Sequence, residues 1–229
     1  MHTSIVKRIP IIALMLAMIL VYFLLSSKPV ETPETNTIPA VVIPEENKPD
    51  TPSQIPPEEK NEFQFPISRA GERITKKPFG IFITKENSPI RPERFSGYHT
   101  GVDFEVFLKE RNIPVAITAI CDGTLLLKKY AGGYGGVAVQ SCTDDNARSI
   151  TVVYGHLKLT SISAQKGSTI TQGDVIGILG AGNSTETDGE RKHLHLGIHQ
   201  GNTINLLGYV GRKTDLTSWI DPLSLLANK

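Results

Sequence analysis

The sequence predicts a mainly β protein whose folded part is a compact antiparallel β-sheet domain. Short runs of apolar and β-branched residues recur along residues 62–229, and no long segment there carries the 3.6-residue apolar period of a helix. Clusters rich in Gly, Asn and Asp separate these runs, as expected for tight turns between strands. Strands are predicted at residues 115–120, 123–127, 136–140, 150–153, 175–179 and 194–198.

An apolar segment near the N-terminus predicts export. Ile11–Leu25 is uninterrupted by polar residues and follows the cationic pair Lys7–Arg8, and neither a cleavage pattern nor a lipidation cysteine comes after it. A cleaved signal peptide is the alternative. We favour an uncleaved signal anchor, with a transmembrane helix over residues 9–27 and a cytoplasmic tip over residues 1–8. The domain is then expected on the extracytoplasmic side of the cell membrane.

Residues 28–61 are predicted to form a disordered linker. They hold eight prolines and seven acidic residues against three lysines, with few large apolar side chains that could build a core. Such Pro-rich chain is semi-rigid, which suits a domain anchored at a membrane and acting in a layer above it. The formal net charge of +1 for the whole chain gives no indication of a nucleic-acid partner, and no feature indicates the oligomeric state.

Export changes the interpretation of the two cysteines, Cys121 and Cys142. They flank a predicted hairpin near the far ends of its arms, so a disulfide across the ladder is possible in an oxidising compartment. Two unpaired buried thiols are the alternative. Metal ligation is disfavoured because the chain has no Cys-x-x-Cys spacing.

His99 and Asp103 form the first candidate pair of ligands. They are four residues apart, so a strand or a helix would place both side chains on one side. An imidazole nitrogen and a carboxylate oxygen can both bind Zn²⁺. Alone this is a weak signal, because a His–Asp hydrogen bond on a surface is the commoner explanation.

His193 and His195 form a stronger signal. In a strand both imidazoles share one face, while Leu194 and Leu196 point into the core. Such a pair suggests a common metal or catalytic purpose, although two exposed polar residues on an edge strand would look the same. His156 follows a predicted strand, where a lone histidine is usually structural.

The combination of these motifs is more specific than its parts. His-x-x-x-Asp at 99–103, Tyr-Gly-His-Leu at 154–157 and His-x-His at 193–195 occur in this order within one small exported β-domain. The arrangement resembles the lysostaphin-type (LytM-type) zinc metallopeptidase family of peptidoglycan endopeptidases. Further segments that resemble the family are Pro78–Gly80, Ala119–Thr124, Gln172–Asp174, Ile176–Gly177 and Trp219–Leu223.

The resemblance implies a role for each of five residues. His99, Asp103 and His195 would hold one Zn²⁺, and three protein ligands leave a fourth position open, as catalytic zinc sites do. His156 and His193 would be the catalytic histidines, with His193 as the general base and His156 as its partner in orienting water or stabilising the oxyanion.

The implied function is a membrane-anchored, zinc-dependent endopeptidase that hydrolyses peptide bonds of peptidoglycan stem peptides or cross-bridges. Its partners are then peptidoglycan and, through residues 9–27, the cytoplasmic membrane, with the domain in the periplasm or cell wall. One alternative is a catalytically silent wall-binding module that activates other cell-wall hydrolases, against which the complete ligand set argues. Another is a protease that acts on Gly-rich secreted protein.

Two features depart from the family pattern. The family usually has a His-Leu-His-aromatic step followed by a small or acidic residue, whereas here Gly197 follows Leu196. Asn183–Lys192 makes a longer and more charged lead into that step than the usual Ser/Thr-Gly-Pro. We expect this lead to border the substrate groove, so that cleavage specificity inferred from relatives does not transfer.

Several residues outside the motifs also carry expectations. Tyr98 and Tyr154 are expected either to line the cleft or to pack as aromatic side chains, and His199 is expected at its rim. Some family members block the open zinc position with an upstream segment, and Glu62–Arg73 is the candidate for one here.

Overall fold

The computed structural model describes residues 63–227. The predicted cytoplasmic tip (residues 1–8), transmembrane helix (residues 9–27) and linker (residues 28–61) therefore lie outside the described residues. Within residues 63–227, no helix is long and apolar enough to cross a membrane.

Strands dominate the regular structure of the described residues. Their bounds are β1 Phe82–Ile83, β2 Gly97–His99, β3 Gly101–Glu105, β4 Ala116–Thr118, β5 Gly123–Ala131, β6 Gly135–Thr143, β7 Ser149–Leu157, β8 Thr169–Ile170, β9 Val175–Ile178, β10 His193–Gln200, β11 Tyr209–Val210 and β12 Trp219–Ile220. An α-helix, α1, spans Pro222–Leu226, and short 3-10 helices lie at Ala70–Glu72, Leu108–Glu110, Leu159–Ser161, Thr185–Thr187 and Lys213–Ser218. The prediction of a mainly β, antiparallel domain is confirmed.

One antiparallel sheet organises the domain. Its strand order is β12-β10-β7-β6-β5-β8, and β3 also pairs with β10. Because β3 pairs along His193–Gly197 and β12 along Ile198–His199, these two short strands share one edge of β10, and β7 occupies the other edge. Strands β1, β2 and β11 form a small second sheet, and β4 and β9 form a two-stranded one.

The two faces of β10 have different surroundings. Leu194, Leu196 and Ile198 are fully buried in the main hydrophobic core, on one face of the sheet. Because side chains alternate along a strand, His193 and His195 lie on the opposite face. This division between core and histidine face agrees with the sequence prediction.

All six predicted strands are present, and four extend further than predicted. The strands that sequence patterns missed are short: β1, β2, β3, β8, β11 and β12 have two to five residues each. One consequence concerns the first motif. His99 ends β2 of the small sheet and Asp103 lies in β3 of the main sheet, so the two residues do not share one strand. The chain changes sheets at Thr100, whose hydroxyl donates to the Leu207 carbonyl.

Cys121 and Cys142 are joined by a disulfide, with their Cα atoms 6.1 Å apart. Cys142 lies in β6 and Cys121 precedes β5, so the bond crosses the far end of the hairpin, as the sequence suggested. The alternative of two unpaired thiols is wrong.

Candidate active site

His195 lies where three strands meet on the histidine face. It stands directly opposite Asp103 of β3 on one side and Gly155 of β7 on the other. His99 reaches the same point from β2, and its Nδ1 lies 3.2 Å from the Pro78 carbonyl oxygen. A proton on Nδ1 satisfies that carbonyl and leaves Nε2 with a lone pair toward Asp103 and His195.

Three potential ligand atoms converge at this point. His99 Nε2 lies 3.0 Å from His195 Nδ1 and 3.3 Å from Asp103 Oδ1. His195 Nδ1 and Asp103 Oδ1 are 3.2 Å apart. All three side chains are buried. Ligands at the usual 2.0–2.2 Å from a tetrahedral zinc ion are about 3.3–3.6 Å apart. The three residues therefore fit one zinc ion, and the group could hold a metal.

The charge state of these residues also suits a metal. Burial alone would raise the pKa of Asp103, but the neighbouring imidazoles of His193, His99 and His195 hold it well below its usual value. Burial lowers the pKa of His195 to about 4. At neutral pH the carboxylate is therefore ionised and the His195 imidazole is neutral, as metal ligation requires.

His156 and His193 form a second pair beside this group, with ring centroids 4.2 Å apart. His193 Nδ1 lies 2.9 Å from the Arg191 carbonyl oxygen, and its Nε2 lies 3.3 Å from Asp103 Oδ2. A proton on Nδ1 again leaves Nε2 as the basic nitrogen. Burial, followed by the proximity of the His193 imidazole, holds the pKa of His156 well below its usual value, so its imidazole is neutral at pH 7.

A β-bulge sets the direction of His156. Gly136 of β6 pairs with Leu157 and Val137 pairs with Gly155, so His156 is the extra residue of β7. Its φ is +62°, in the left-handed region that residues with a Cβ rarely adopt. Bulges re-aim side chains near functional sites. The bulge places this imidazole next to His193, with Nδ1 buried and without a hydrogen-bond partner among residues 63–227.

Arg191 is a residue of the site that the motifs did not identify. Its Nη2 donates to Asp103 Oδ2 at 2.8 Å, and the guanidinium also contacts the Glu105 carboxylate at 2.5–3.0 Å. Burial would lower the pKa of Arg191, but Asp103 and Glu105 raise it, so it remains charged. The one sequence feature that pointed to Arg191 was the charged lead at Asn183–Lys192. Glu190 and Arg191 of this lead line the cavity, so the lead does border the site.

A cavity of about 320 Å³ opens over these residues and includes all five predicted side chains in its lining. The remaining lining comes from residues 77, 95–96, 132–134, 190–191 and 206–209. No residue of 63–73 lines it, so the described part of the suggested blocking segment does not cover the site. Phe63 and Ile67 instead pack in the main core.

The tyrosines in the cavity are not the expected ones. Tyr154 is fully buried, and its hydroxyl donates to Gln140 Oε1, while Tyr98 packs against Phe82. Neither lines the cavity, so the cleft role considered for them is wrong. Tyr134 and Tyr209 line it instead.

Each of these two rings contacts a predicted ligand. The Tyr134 centroid is 5.3 Å from that of His195, and the Tyr209 centroid is 5.1 Å from that of His99. The Tyr209 hydroxyl accepts a hydrogen bond from Lys77 Nζ at 2.9 Å, and burial raises the pKa of both phenols, so they remain protonated. Tyr134 lies in the turn between β5 and β6 and Tyr209 in the two-residue strand β11, and neither has a local sequence pattern that would have identified it.

The packing around position 197 explains why a glycine stands there. A Cβ at this position would lie 3.3 Å from both His195 Nε2 and Trp219 Cζ3, so the absence of a side chain leaves room for the imidazole. His199, the next residue on that face, packs edge-on against Trp219 at 4.9 Å and does not line the cavity.

Part of the sequence is similar to known proteins. Residues 97–206 match the sequence profile of Peptidase family M23. The chain is 34% identical over 121 residues to Endolysin 2638A of Staphylococcus phage 2638A, which covers 52% of this chain and 23% of that protein. The chain thus spans about a quarter of that curated relative.

Several solved structures resemble part of the chain. The catalytic domain of the antimicrobial peptidase lysostaphin from Staphylococcus simulans is 18% identical, covers 69% of this chain and 96% of its own, and has a TM-score of 0.46. Helicobacter pylori Csd3 is 25% identical, over 66% of this chain and 35% of its own, with a TM-score of 0.39. A zinc-containing peptidase from Vibrio cholerae is 20% identical, over 61% and 37%, with a TM-score of 0.40.

Proposed function

We propose that the chain belongs to peptidase family M23, whose profile residues 97–206 match, and that residues 62–229 form a zinc-dependent endopeptidase that hydrolyses peptide bonds of peptidoglycan stem peptides or cross-bridges. The observation that carries this proposal is the convergence of His99 Nε2, Asp103 Oδ1 and His195 Nδ1 within 3.3 Å of one another at a cavity. The similarity to a phage endolysin supports the choice of peptidoglycan as substrate.

His99, Asp103 and His195 would hold the zinc ion. Bound there, zinc would supply a Lewis acid that polarises the scissile carbonyl and lowers the pKa of a water molecule. His193 is the candidate general base, because the Arg191 carbonyl fixes the Nδ1 proton and leaves Nε2 free to accept one. Asp103 Oδ2, 3.3 Å from that nitrogen, would stabilise the imidazolium that forms.

His156 and Tyr209 would assist proton transfer and stabilise the negative charge that develops on the substrate. His156 is neutral at pH 7 and its ring lies beside that of His193, so it can orient the attacking water or share the proton that the water gives up. Lys77 has only donors, so in its bond to Tyr209 the phenol oxygen is the acceptor. The phenol keeps its own proton, which can be donated to the oxyanion that develops on the substrate.

We further propose that the domain works outside the cytoplasm, tethered by the signal anchor at residues 9–27 and the linker at residues 28–61. The Cys121–Cys142 disulfide supports an oxidising compartment, because disulfides rarely persist in the cytosol. The cationic flank before the anchor supports an extracytoplasmic domain, in the periplasm or cell wall.

Digestion of purified peptidoglycan by the full chain in detergent tests this function. We expect new amine ends in the released fragments by mass spectrometry, lost with a chelator and restored by zinc. His195→Ala should lose both zinc and activity, whereas His193→Ala should keep most zinc and lose turnover. If the peptidoglycan stays uncleaved although the protein binds one zinc ion per chain, the wall-binding alternative is indicated. If both variants lose zinc equally, the assignment of His195 as a ligand and His193 as the base is refuted.

A further inference from the structure

The Asp103 carboxylate has two oxygens, and only one of them faces the other ligands. Oδ1 lies 3.2–3.3 Å from the nitrogens of His195 and His99. If the second oxygen also bound the metal, it would compete for the fourth position that a catalytic zinc site keeps open. Something must therefore hold Oδ2 away from the metal position.

The second oxygen is held by the lead into β10. Arg191 Nη2 donates to Asp103 Oδ2 at 2.8 Å, and His193 Nε2 lies 3.3 Å from the same atom. Charge-assisted bonds of this length are among the stronger hydrogen bonds in proteins. The Arg191 guanidinium thus occupies the oxygen that does not face the ligand set.

The guanidinium is itself fixed from the other side. Asp103 and Glu105 are two residues apart on β3, so their side chains share one face of the strand. Arg191 spans both, with Nε 2.9 Å and 3.0 Å from the Glu105 oxygens, and only 15% of its side chain is exposed. A planar fork with several donors suits this double contact, whereas an ammonium group would satisfy one carboxylate at a time.

We propose that Arg191 is a positioning residue that restricts Asp103 to one-oxygen binding and thereby keeps the fourth metal position open for water and substrate. This inference rests on the proposed function. It also assigns a purpose to the charged lead at Asn183–Lys192, which is where the sequence departs from the family pattern.

Cobalt substitution of the full chain tests the proposal without requiring turnover. Co²⁺ can replace Zn²⁺ in such sites, and its visible absorption weakens and shifts when the coordination number rises. In Arg191→Met we expect one metal ion per chain, a weaker and shifted cobalt spectrum, and a kcat on the order of 10–100-fold lower with KM nearly unchanged. Arg191→Lys should fall between this variant and the wild type in both spectrum and kcat.

Arg212→Met is the matched control, because Arg212 is an exposed arginine that pairs with Asp215 away from the cavity. Its cobalt spectrum and kcat should equal those of the wild type. The proposal is overturned if Arg191→Met keeps the wild-type spectrum, or if it loses metal as completely as His195→Ala. Should Arg191→Met fail to fold, an unchanged spectrum in Arg191→Lys overturns it. If the wild type cleaves no peptidoglycan but the spectra differ as expected, only the proposed substrate has failed.

Discussion

His156 provides the sharpest test of how the fold builds this site, because its backbone is strained. The residue occupies the left-handed region, with φ at +62°, as the extra residue of a bulge in β7. Exchanging it for Ala and for Gly removes the same imidazole in both cases. The two variants then differ only in whether position 156 carries a Cβ, which is the atom responsible for the strain.

The magnitude follows from two opposing effects. A left-handed conformation costs a residue with a Cβ roughly 1–2 kcal/mol, and glycine avoids this cost. Glycine at an ordinary strand position is about 0.5–1 kcal/mol less stable than alanine, because it loses more chain entropy on folding. At position 156 the strain should outweigh this entropy, so His156→Gly should be at least as stable as His156→Ala.

Lys129 is the matched control position. It is an exposed residue in the middle of β5, and its φ is not positive. There Lys129→Ala should be more stable than Lys129→Gly by the usual margin. The difference between the two positions, measured as the Gly-minus-Ala change in the free energy of unfolding, should be about 1–2 kcal/mol.

Equilibrium urea unfolding of the metal-free protein measures these differences, with the fluorescence of Trp219 as the probe. Trp219 is the single tryptophan of the chain and is 5% exposed in the fold. Metal-free protein is required because bound zinc would add its own stabilisation. If Ala is favoured over Gly at position 156 by the same margin as at position 129, the bulge is not strained and the reasoning fails.

Two further variants test the packing around the site and the N-terminal part of the domain. In Gly101→Ala the new Cβ would lie 2.3 Å from a backbone carbonyl oxygen of β10 and 2.8 Å from the His195 imidazole. We expect the free energy of unfolding in urea to fall by about 1–3 kcal/mol and zinc to bind more weakly in chelator competition. Gly211→Ala is the control, because no surrounding atom lies within 4 Å of its Cβ, and it should change neither quantity. Glu110 has its pKa lowered to about 2, chiefly by its hydrogen bonds from the buried Arg73 guanidinium. Because the folded-state pKa is the lower one, this carboxylate stabilises the fold above about pH 4.5 and loses that effect as the pH falls toward 2. Because solvent screens part of this interaction, wild type should lose about 1–2 kcal/mol more than Glu110→Gln over that interval; parallel pH profiles for the two proteins would contradict this account.

Local sequence patterns by themselves determined much of the domain. Alternation along β10 placed Leu194 and Leu196 in the core and His193 and His195 on the other face, because side chains alternate strictly along a strand. Turn residues predicted the β5–β6 hairpin, because their backbone preferences are also local. The cysteines near the far ends of its arms made the Cys121–Cys142 disulfide possible. The five histidine and aspartate positions of the candidate site could also be chosen from sequence, because their motifs together resemble those of the lysostaphin-type family.

Tertiary structure alone decided how those residues meet. His99 and Asp103 lie in different sheets, and only the packing of β2 against β3 and β10 brings their ligand atoms within 3.3 Å. Arg191 contacts Asp103 across strands, a relation that no sequence period encodes. Tyr209 lines the cavity, whereas Tyr98 and Tyr154 do not, for a similar reason. The short strand that carries Tyr209 comes from the end of the domain and pairs beside His99. Sequence periods record which face a residue occupies, whereas distances between strands depend on register, bulges and close backbone approach, which arise only when the whole sheet assembles.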